Sequence, residues 1–201
     1  MDTTFVYYLA LFLHILGAFG LIAALTFEAI GLRGLRRAVR REDALIWLGL
    51  SRVVQRLAPT SLGLILVTGL YMMVTSWGAR AWILVALASL VAFGAVGGLL
   101  TGVRMARIGP AVGRASGPLS DELRGALRDP ILLTSFRIRL SIVIGIAFLM
   151  SVKPSVVASL AVVVLGAAIG LFASVVTAGR NGFRTEAHGA ALENGERGRA
   201  S

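Results

Sequence analysis

The chain has 201 residues, of which 57% are apolar and only 15% are charged, and its mean hydropathy is +0.84. Soluble domains usually have about a quarter of their residues charged, so lipid is the expected solvent for much of this chain. The net charge of +10 would suggest nucleic acid in a soluble protein, but these basic residues flank apolar runs, and we expect no nucleic-acid partner. The absence of cysteine excludes disulfides, thiolate metal sites and cysteine nucleophiles.

Five apolar segments follow one another, each long enough to cross about 30 Å of hydrocarbon as a helix. They cover residues 5–32, 57–77, 81–103, 131–152 and 155–178. In lipid, a single segment can hydrogen-bond all of its backbone N–H and C=O groups internally only as a helix. The sequence therefore predicts an all-α, integral membrane bundle of five transmembrane helices over residues 1–179, with a disordered cytoplasmic tail over residues 180–201.

The loop between the first two segments has an apolar stripe at helical spacing, with arginines beside it. The stripe consists of Val39, Ile46, Leu50, Val53 and Leu57. This pattern predicts an amphipathic helix that lies on the cytoplasmic membrane surface and is attracted to anionic lipids.

The long loop before the fourth segment combines helix breakers with capping residues. Pro110, Gly113 and the pair Gly117-Pro118 indicate irregular chain. Ser120 is expected to cap a short helix, and Asp129-Pro130 to begin the fourth span.

The basic residues alternate between loops. The first loop and the region 104–139 carry seven arginines each and the tail carries four, whereas the other two loops carry only Arg80 and Lys153. The positive-inside rule then places the N-terminus outside and the C-terminus in the cytoplasm, as an odd number of spans requires. Arginine outnumbers lysine nineteen to one, a bias typical of GC-rich bacterial genomes, so we expect a bacterial inner membrane.

Small residues recur every four positions on two of the predicted spans. The third span carries Gly94, Gly98 and Gly102, and the fifth carries Gly166, Gly170 and Ser174. Such faces let helix backbones approach closely in lipid. They predict either packing within one bundle or the seam of a homodimer.

His14 lies about 13 Å into the first span if that helix starts at Phe5. An ionisable group at this depth is a functional candidate, and imidazole can bind haem iron or copper or relay a proton. Met72, Met73 and Met150 end two spans on the same side, and thioether with imidazole suits Cu(I). The alternative is a neutral histidine that hydrogen-bonds across the bundle to Thr68.

Glu28 lies near the other boundary of the first span, at the level where Arg137 and Arg139 enter the fourth. Charges so close to hydrocarbon pair or extend to the interface. We therefore predict an ion pair between Glu28 and one of these arginines, serving as a lock between helices or as part of a proton or anion pathway.

Three short runs resemble a family of uncharacterised bacterial integral membrane proteins of the domain-of-unknown-function type. They are Leu11–Ala18 (LFLHILGA), Leu66–Met73 (LVTGLYMM) and Thr101–Arg104 (TGVR). More distantly, the first run is similar to the first helix of copper-resistance D-type membrane proteins. The resemblance implies a bundle of four or five helices, and the copper-resistance relatives imply metal-linked histidines, of which His14 is the counterpart.

The sequence contains no Walker loop, no His-Glu-x-x-His and no Gly-x-Ser-x-Gly, so an enzyme is the less favoured interpretation. We expect a structural or accessory membrane protein of unassigned biochemical function. The alternatives are a copper- or haem-handling protein that uses His14, and a small-solute transporter.

Overall fold

The computed structural model describes residues 3–166 together with residues 168 and 172. Helices account for most of this part of the chain, which confirms the all-α prediction. They are α1 (Thr3–Leu35), α2 (Arg41–Met72), α3 (Ala81–Val96), α4 (Val103–Arg114), α5 (Asp121–Leu127), α6 (Pro130–Val152) and α7 (Val156–Gly166). Two π-helical turns interrupt the α-helical pattern: Met73–Trp77 extends α2, and Gly97–Gly102 joins α3 to α4.

Four helices in the described residues are long and apolar enough to cross a membrane. They are α1, α2 with its π turn, the continuous helix from α3 to α4, and the segment Asp121–Val152. The sequence predicted five spans, whereas the structure shows four helices of sufficient length in the described residues. The described part of α7 would cover only about half of the hydrocarbon thickness. The remainder of the predicted fifth span lies outside the described residues apart from 168 and 172, and so does the tail 180–201.

The first loop is helical from Arg41, as predicted, but this helix is continuous with the second apolar segment rather than separate from it. Its residues begin α2 at Arg41 and continue without interruption through Pro59 into the apolar span. The predicted stripe also faces outward, since Ile46 is 69% and Val53 49% exposed. Ala44 and Leu48 are buried instead, because this part of α2 packs against other helices of the chain.

The arginine-rich end of the bundle, which we call the basic end, is a packed layer of helix ends. Its core consists of eleven buried apolar residues. They come from the end of α1, the start of α2, the helices α4 and α5 with their flanking turns, and the start of α6. Pro110 and Gly113 lie within α4, so irregular chain was the wrong prediction there. Met105, Ile108 and Val112 recur on one buried face of α4, and their packing outweighs the helix breakers.

The predicted helix starts near residues 120 and 130 are confirmed. The Ser120 hydroxyl accepts a hydrogen bond from the Leu123 amide at 3.3 Å, and α5 begins at the next residue. The Asp129 carboxylate accepts one from the Ile131 amide at 2.8 Å, with Pro130 in the first turn of α6. Each cap satisfies an amide that the helix leaves unpaired.

The spanning helices associate as two pairs, α1 with α2 and α3 with α6. Leu21, Leu25, Ile65, Leu90, Phe93 and Ile142 form an apolar cluster that joins the two pairs midway along the bundle. At the end opposite the arginines, which we call the aromatic end, Trp77 donates a hydrogen bond to the Tyr7 hydroxyl at 3.3 Å and packs edge-on against Trp82. The basic and aromatic ends thus differ in both charge and packing.

Candidate functional site

A buried ion pair links α1 to α6 between the apolar cluster and the basic end. Arg139 donates from Nη1 to Glu28 Oε2 at 2.8 Å and from Nη2 to the second carboxylate oxygen. Glu28 is 8% and Arg139 4% exposed. Arg137, the other partner considered from the sequence, lies two residues earlier on α6 and is half-buried. The structure therefore joins Glu28 to Arg139 in a two-pronged, charge-assisted contact.

The π turn Gly97–Gly102 provides much of the environment of this ion pair. Arg139 Nη2 donates to the Thr101 hydroxyl at 3.2 Å, and that hydroxyl lies 2.8 Å from the Ser135 hydroxyl. A Cβ at Gly97 would lie 3.3 Å from Arg139 Cδ, so the glycine makes room for the arginine side chain. The guanidinium also lies 5.7 Å from the centre of the Phe93 ring. These contacts hold Arg139 in one position.

A second feature is a cavity of about 530 Å³ in the half of the bundle nearest the aromatic end. It lies between the two helix pairs, and α1, α2, α3 and α6 all contribute to its wall. Its lining is almost entirely apolar, and along α1 it reaches from Tyr7 to Ile22. The apolar cluster lies below it, between the cavity and the Glu28–Arg139 pair. We call this space the upper cavity.

His14 is the principal polar group deep in the upper cavity. Its Nδ1 lies 3.1 Å from the Thr68 hydroxyl, which is the contact expected from the sequence. That hydroxyl is 2.6 Å from the Leu64 carbonyl, to which its proton is donated. With the Thr68 proton on the Leu64 carbonyl, a neutral His14 donates from Nδ1 to the Thr68 hydroxyl and has Nε2 as its acceptor. The Ile65 backbone is a further hydrogen-bond partner of the ring.

The three methionines singled out from the sequence also line the upper cavity. Met72 and Met73 come from α2 and Met150 from α6. The π turn begins at Met73, directly after Met72. π turns insert an extra residue into a helix and are frequent at functional sites. Within the described residues, no group of three or more His, Asp or Glu side chains is placed to hold a metal ion.

The predicted small-residue faces have different surroundings. A Cβ at Gly94 would lie 3.2 Å from Leu62 of α2, but nothing lies within 4 Å of one at Gly98. The nearest atom to a Cβ at Gly102 is the backbone oxygen of Gly97, in the same π turn. Gly166 faces the Ser141 carbonyl of α6 at 3.5 Å, whereas Gly170 and Ser174 lie outside the described residues. A Cβ at Gly98 would thus meet no other side chain in the described part of the chain.

The closest approach of helix backbones occurs between α1 and α2, which the sequence interpretation missed. A Cβ at Gly17 would lie 2.9 Å from Ile65, and one at Gly20 or Gly34 would overlap Ser61 or Trp47. The sequence did contain this signal, because Gly17 and Gly20 are three residues apart. The prediction considered only small residues four positions apart. Glycines allow two helices to pack closely where lipid supplies no hydrophobic driving force.

The described residues form an α-helical bundle with four helices long and apolar enough to span a membrane, a buried ion pair toward the basic end and a cavity toward the aromatic end. Comparisons with protein-family models, with curated proteins and with solved structures give no match.

Proposed function

We propose that the protein is an accessory membrane protein that binds an apolar ligand in the upper cavity. The observation that carries this proposal is a space of about 530 Å³ with an almost entirely apolar lining, in which His14 is the one deep ionisable group among the described residues. Pockets for small molecules typically have about 300–1,000 Å³, apolar walls and a few placed polar groups. Binding is favoured over small-solute transport because the apolar cluster and the buried ion pair close the bundle below the cavity.

Filling the upper cavity should abolish this binding. Ala147 lines the cavity from α6, whereas Ile144 on the same helix does not line it and is 62% exposed. We expect Ala147→Phe to lower the affinity for a brominated long-chain alcohol by about tenfold or more, because the ring occupies the ligand's space. Ile144→Phe is the matched control and should bind normally. Bromine quenches tryptophan fluorescence on contact, so Trp77 and Trp82 in the cavity wall report occupancy. Absence of saturable quenching in the unaltered protein would contradict the proposal.

A second candidate function is the handling of copper or haem iron. It is favoured because His14, Met72, Met73 and Met150 all line the same cavity. Thioethers and imidazole are ligands that Cu(I) accepts. The hydrogen bond from Nδ1 to Thr68 also resembles the outer contact that orients metal-bound histidines. These residues suit one soft metal ion or an axial ligand to haem.

Metal analysis and an optical spectrum of the purified protein test this second function. We expect stoichiometric copper or a haem absorption band in the unaltered protein, and loss of that signal in His14→Ala. Thr68→Val should weaken the site by about 10–100-fold without removing a ligand, since it acts only through the orientation of His14. A colourless, metal-free protein after growth with copper and haem would exclude this function.

We further propose five spans in a bacterial inner membrane, with the N-terminus outside and the basic end in the cytoplasm. The first support is charge, because the arginines collect at one end. The second is the direction of α7: Val162 lies near Gly145, and Gly166 near Ser141. As the residue number rises in α7 it falls in α6, so α7 runs back toward the basic end as a fifth span would.

Single cysteines introduced into this cysteine-free chain test the topology. An impermeant thiol reagent applied to intact cells should label a cysteine at Ser76 near the aromatic end. It should fail to label one at Ser116 or Ser201 until the cells are opened. Labelling of Ser76 and Ser201 positions from the same side would rule out five spans.

A further inference from the structure

At the aromatic end the upper cavity is lined by a lysine, and we call this end of the cavity its mouth. Lys153 is the only lysine in the chain, and it contributes to the cavity wall together with Trp77. Its ammonium lies 4.3 Å from the centre of the Trp77 ring. Lys153 follows the last residue of α6 and has a φ of 51°. Residues other than glycine and asparagine rarely adopt this left-handed backbone conformation. The backbone at the end of α6 therefore fixes where this side chain leaves the helix.

The positive charge of Lys153 has no carboxylate near it in the described part of the chain. The described acidic residues all lie on the basic side of the apolar cluster: Glu28, Glu42, Asp43, Asp121, Glu122 and Asp129. Arg80 is the other cation at the aromatic end, and its guanidinium lies 5.7 Å from the same Trp77 ring. Unlike Lys153, Arg80 does not line the cavity. Among the described residues, the charged side chains at this end are therefore cations, and Lys153 is the one that lines the cavity.

The cavity behind this mouth is long. Its wall follows α1 from Tyr7 to Ile22, which is about 22 Å along a helix axis. One leaflet of a bilayer contributes about 15 Å of hydrocarbon. An extended alkyl chain can therefore lie wholly inside the cavity while its head group stays at the level of Trp77. A cationic mouth on a long apolar cavity is complementary to an amphiphile with a negative head.

We propose that the ligand of the upper cavity is an acyl-chain amphiphile with an anionic head group, a carboxylate or a phosphate, which Lys153 binds at the mouth. This inference rests on the proposed binding function and adds the class of ligand. The alkyl chain passes His14 and ends against the apolar cluster. Binding is non-covalent, so no bond is made or broken.

Head-group selectivity is the decisive measurement. Full-length protein in a neutral detergent is titrated with dibromostearate and with dibromostearyl alcohol at alkaline pH, and tryptophan quenching is followed. The two probes share one chain and differ only in head-group charge. We expect the unaltered protein to bind the carboxylate about tenfold more tightly than the alcohol, which is what one partly desolvated charge pair can contribute.

Three variants assign that preference to Lys153. Lys153→Asn keeps a residue that tolerates the left-handed backbone but removes the charge, and it should bind both probes within about twofold. Lys153→Arg keeps the charge and should keep the preference. Arg80→Gln is the matched control, since Arg80 contacts Trp77 outside the cavity, and it should also keep the preference.

The outcomes separate this inference from the proposed function. Equal affinity for acid and alcohol in the unaltered protein, or an unchanged preference in Lys153→Asn, overturns the anionic head group but leaves apolar binding intact. No quenching by either probe overturns both. In nanodiscs, stronger quenching by brominated phosphatidylglycerol than by brominated phosphatidylcholine, lost in Lys153→Asn, identifies a membrane lipid as the source. The acid preference in detergent without that difference identifies a free fatty acid.

Discussion

Replacing Arg139 with leucine is expected to destabilise the folded protein by about 3–5 kcal/mol, the largest single-residue effect that the structure predicts. The substitution leaves the Glu28 carboxylate buried at 8% exposure without its cation. It also removes the hydrogen bond to Thr101, which ties α6 to the helix from α3 to α4. The free energy of unfolding can be measured by titrating the protein in mixed micelles with a denaturing detergent.

The double variant Glu28→Leu/Arg139→Leu distinguishes a lost attraction from an isolated buried charge. Burying a charge is costly whether or not it is paired, and two well-packed apolar residues often replace a buried pair with little loss. We therefore expect the double variant to recover most of the stability that Arg139→Leu loses. A double variant as unstable as the single one would mean that the pair itself contributes most of the stability.

Two further variants are controls for this prediction. Arg104 pairs with Asp129 at 2.9 Å, but both side chains are more than a quarter exposed. Arg104→Leu should therefore cost only about 1 kcal/mol or less. Glu28→Gln keeps the shape of the side chain and removes its charge. An unchanged thermal stability in Glu28→Gln would contradict the role of this pair as a lock between α1 and α6.

The sequence predicted those parts of the structure that depend on distance along a helix. Hydropathy located the spans, because crossing hydrocarbon requires a minimum apolar length whatever the neighbours are. Depth along the first span placed His14 level with Thr68, and Glu28 level with the two arginines of α6. Counting residues at 1.5 Å each was enough for these cross-helix contacts. Choosing Arg139 over Arg137 needed the rotation of α6, which the sequence does not specify.

The parts that the sequence did not predict depend on how helices pack. The amphipathic segment before residue 57 could lie on a membrane or against protein, and its arginines were equally compatible with both. Ala44 and Leu48 are buried in one apolar cluster with residues of other helices, among them Val112 and Leu127. The upper cavity was unpredictable for the same reason, since it is a gap between two helix pairs.

The two π turns also limit how well regular residue spacing predicts which residues share a helix face. Met73–Trp77 lies in the wall of the upper cavity, and Gly97–Gly102 lies around Arg139. A single inserted residue rotates the following part of the helix by about 100°, so faces assigned from regular spacing change at that point. This is why Gly94, Gly98 and Gly102 do not present one common packing face. One π turn thus lies in the wall of the upper cavity and the other beside the buried ion pair, and π turns are frequent at functional sites.

The second large effect is expected at Gly34, where α1 passes over the indole of Trp47. A Cβ added there would lie 2.6 Å from Trp47 Cε3 and still closer to two other ring atoms. An indole cannot bend away, so Gly34→Ala forces the ring or the two helices apart. We expect a destabilisation of about 1–3 kcal/mol, typical of overpacking. The same detergent titration used for the Arg139 variants measures it.

Gly63→Ala is the matched control, because it makes the same chemical change within a helix where nothing lies within 4 Å of the added carbon. Alanine restricts the unfolded chain more than glycine does, so Gly63→Ala should stabilise the protein by about 0.5–1 kcal/mol. The two substitutions should thus act with opposite signs. Trp47→Leu introduced into Gly34→Ala should recover part of the loss, because the smaller side chain removes the overlap. Equal effects at both glycines would show that the contact between Gly34 and Trp47 is not close, and that α1 and α2 are held together elsewhere along their length.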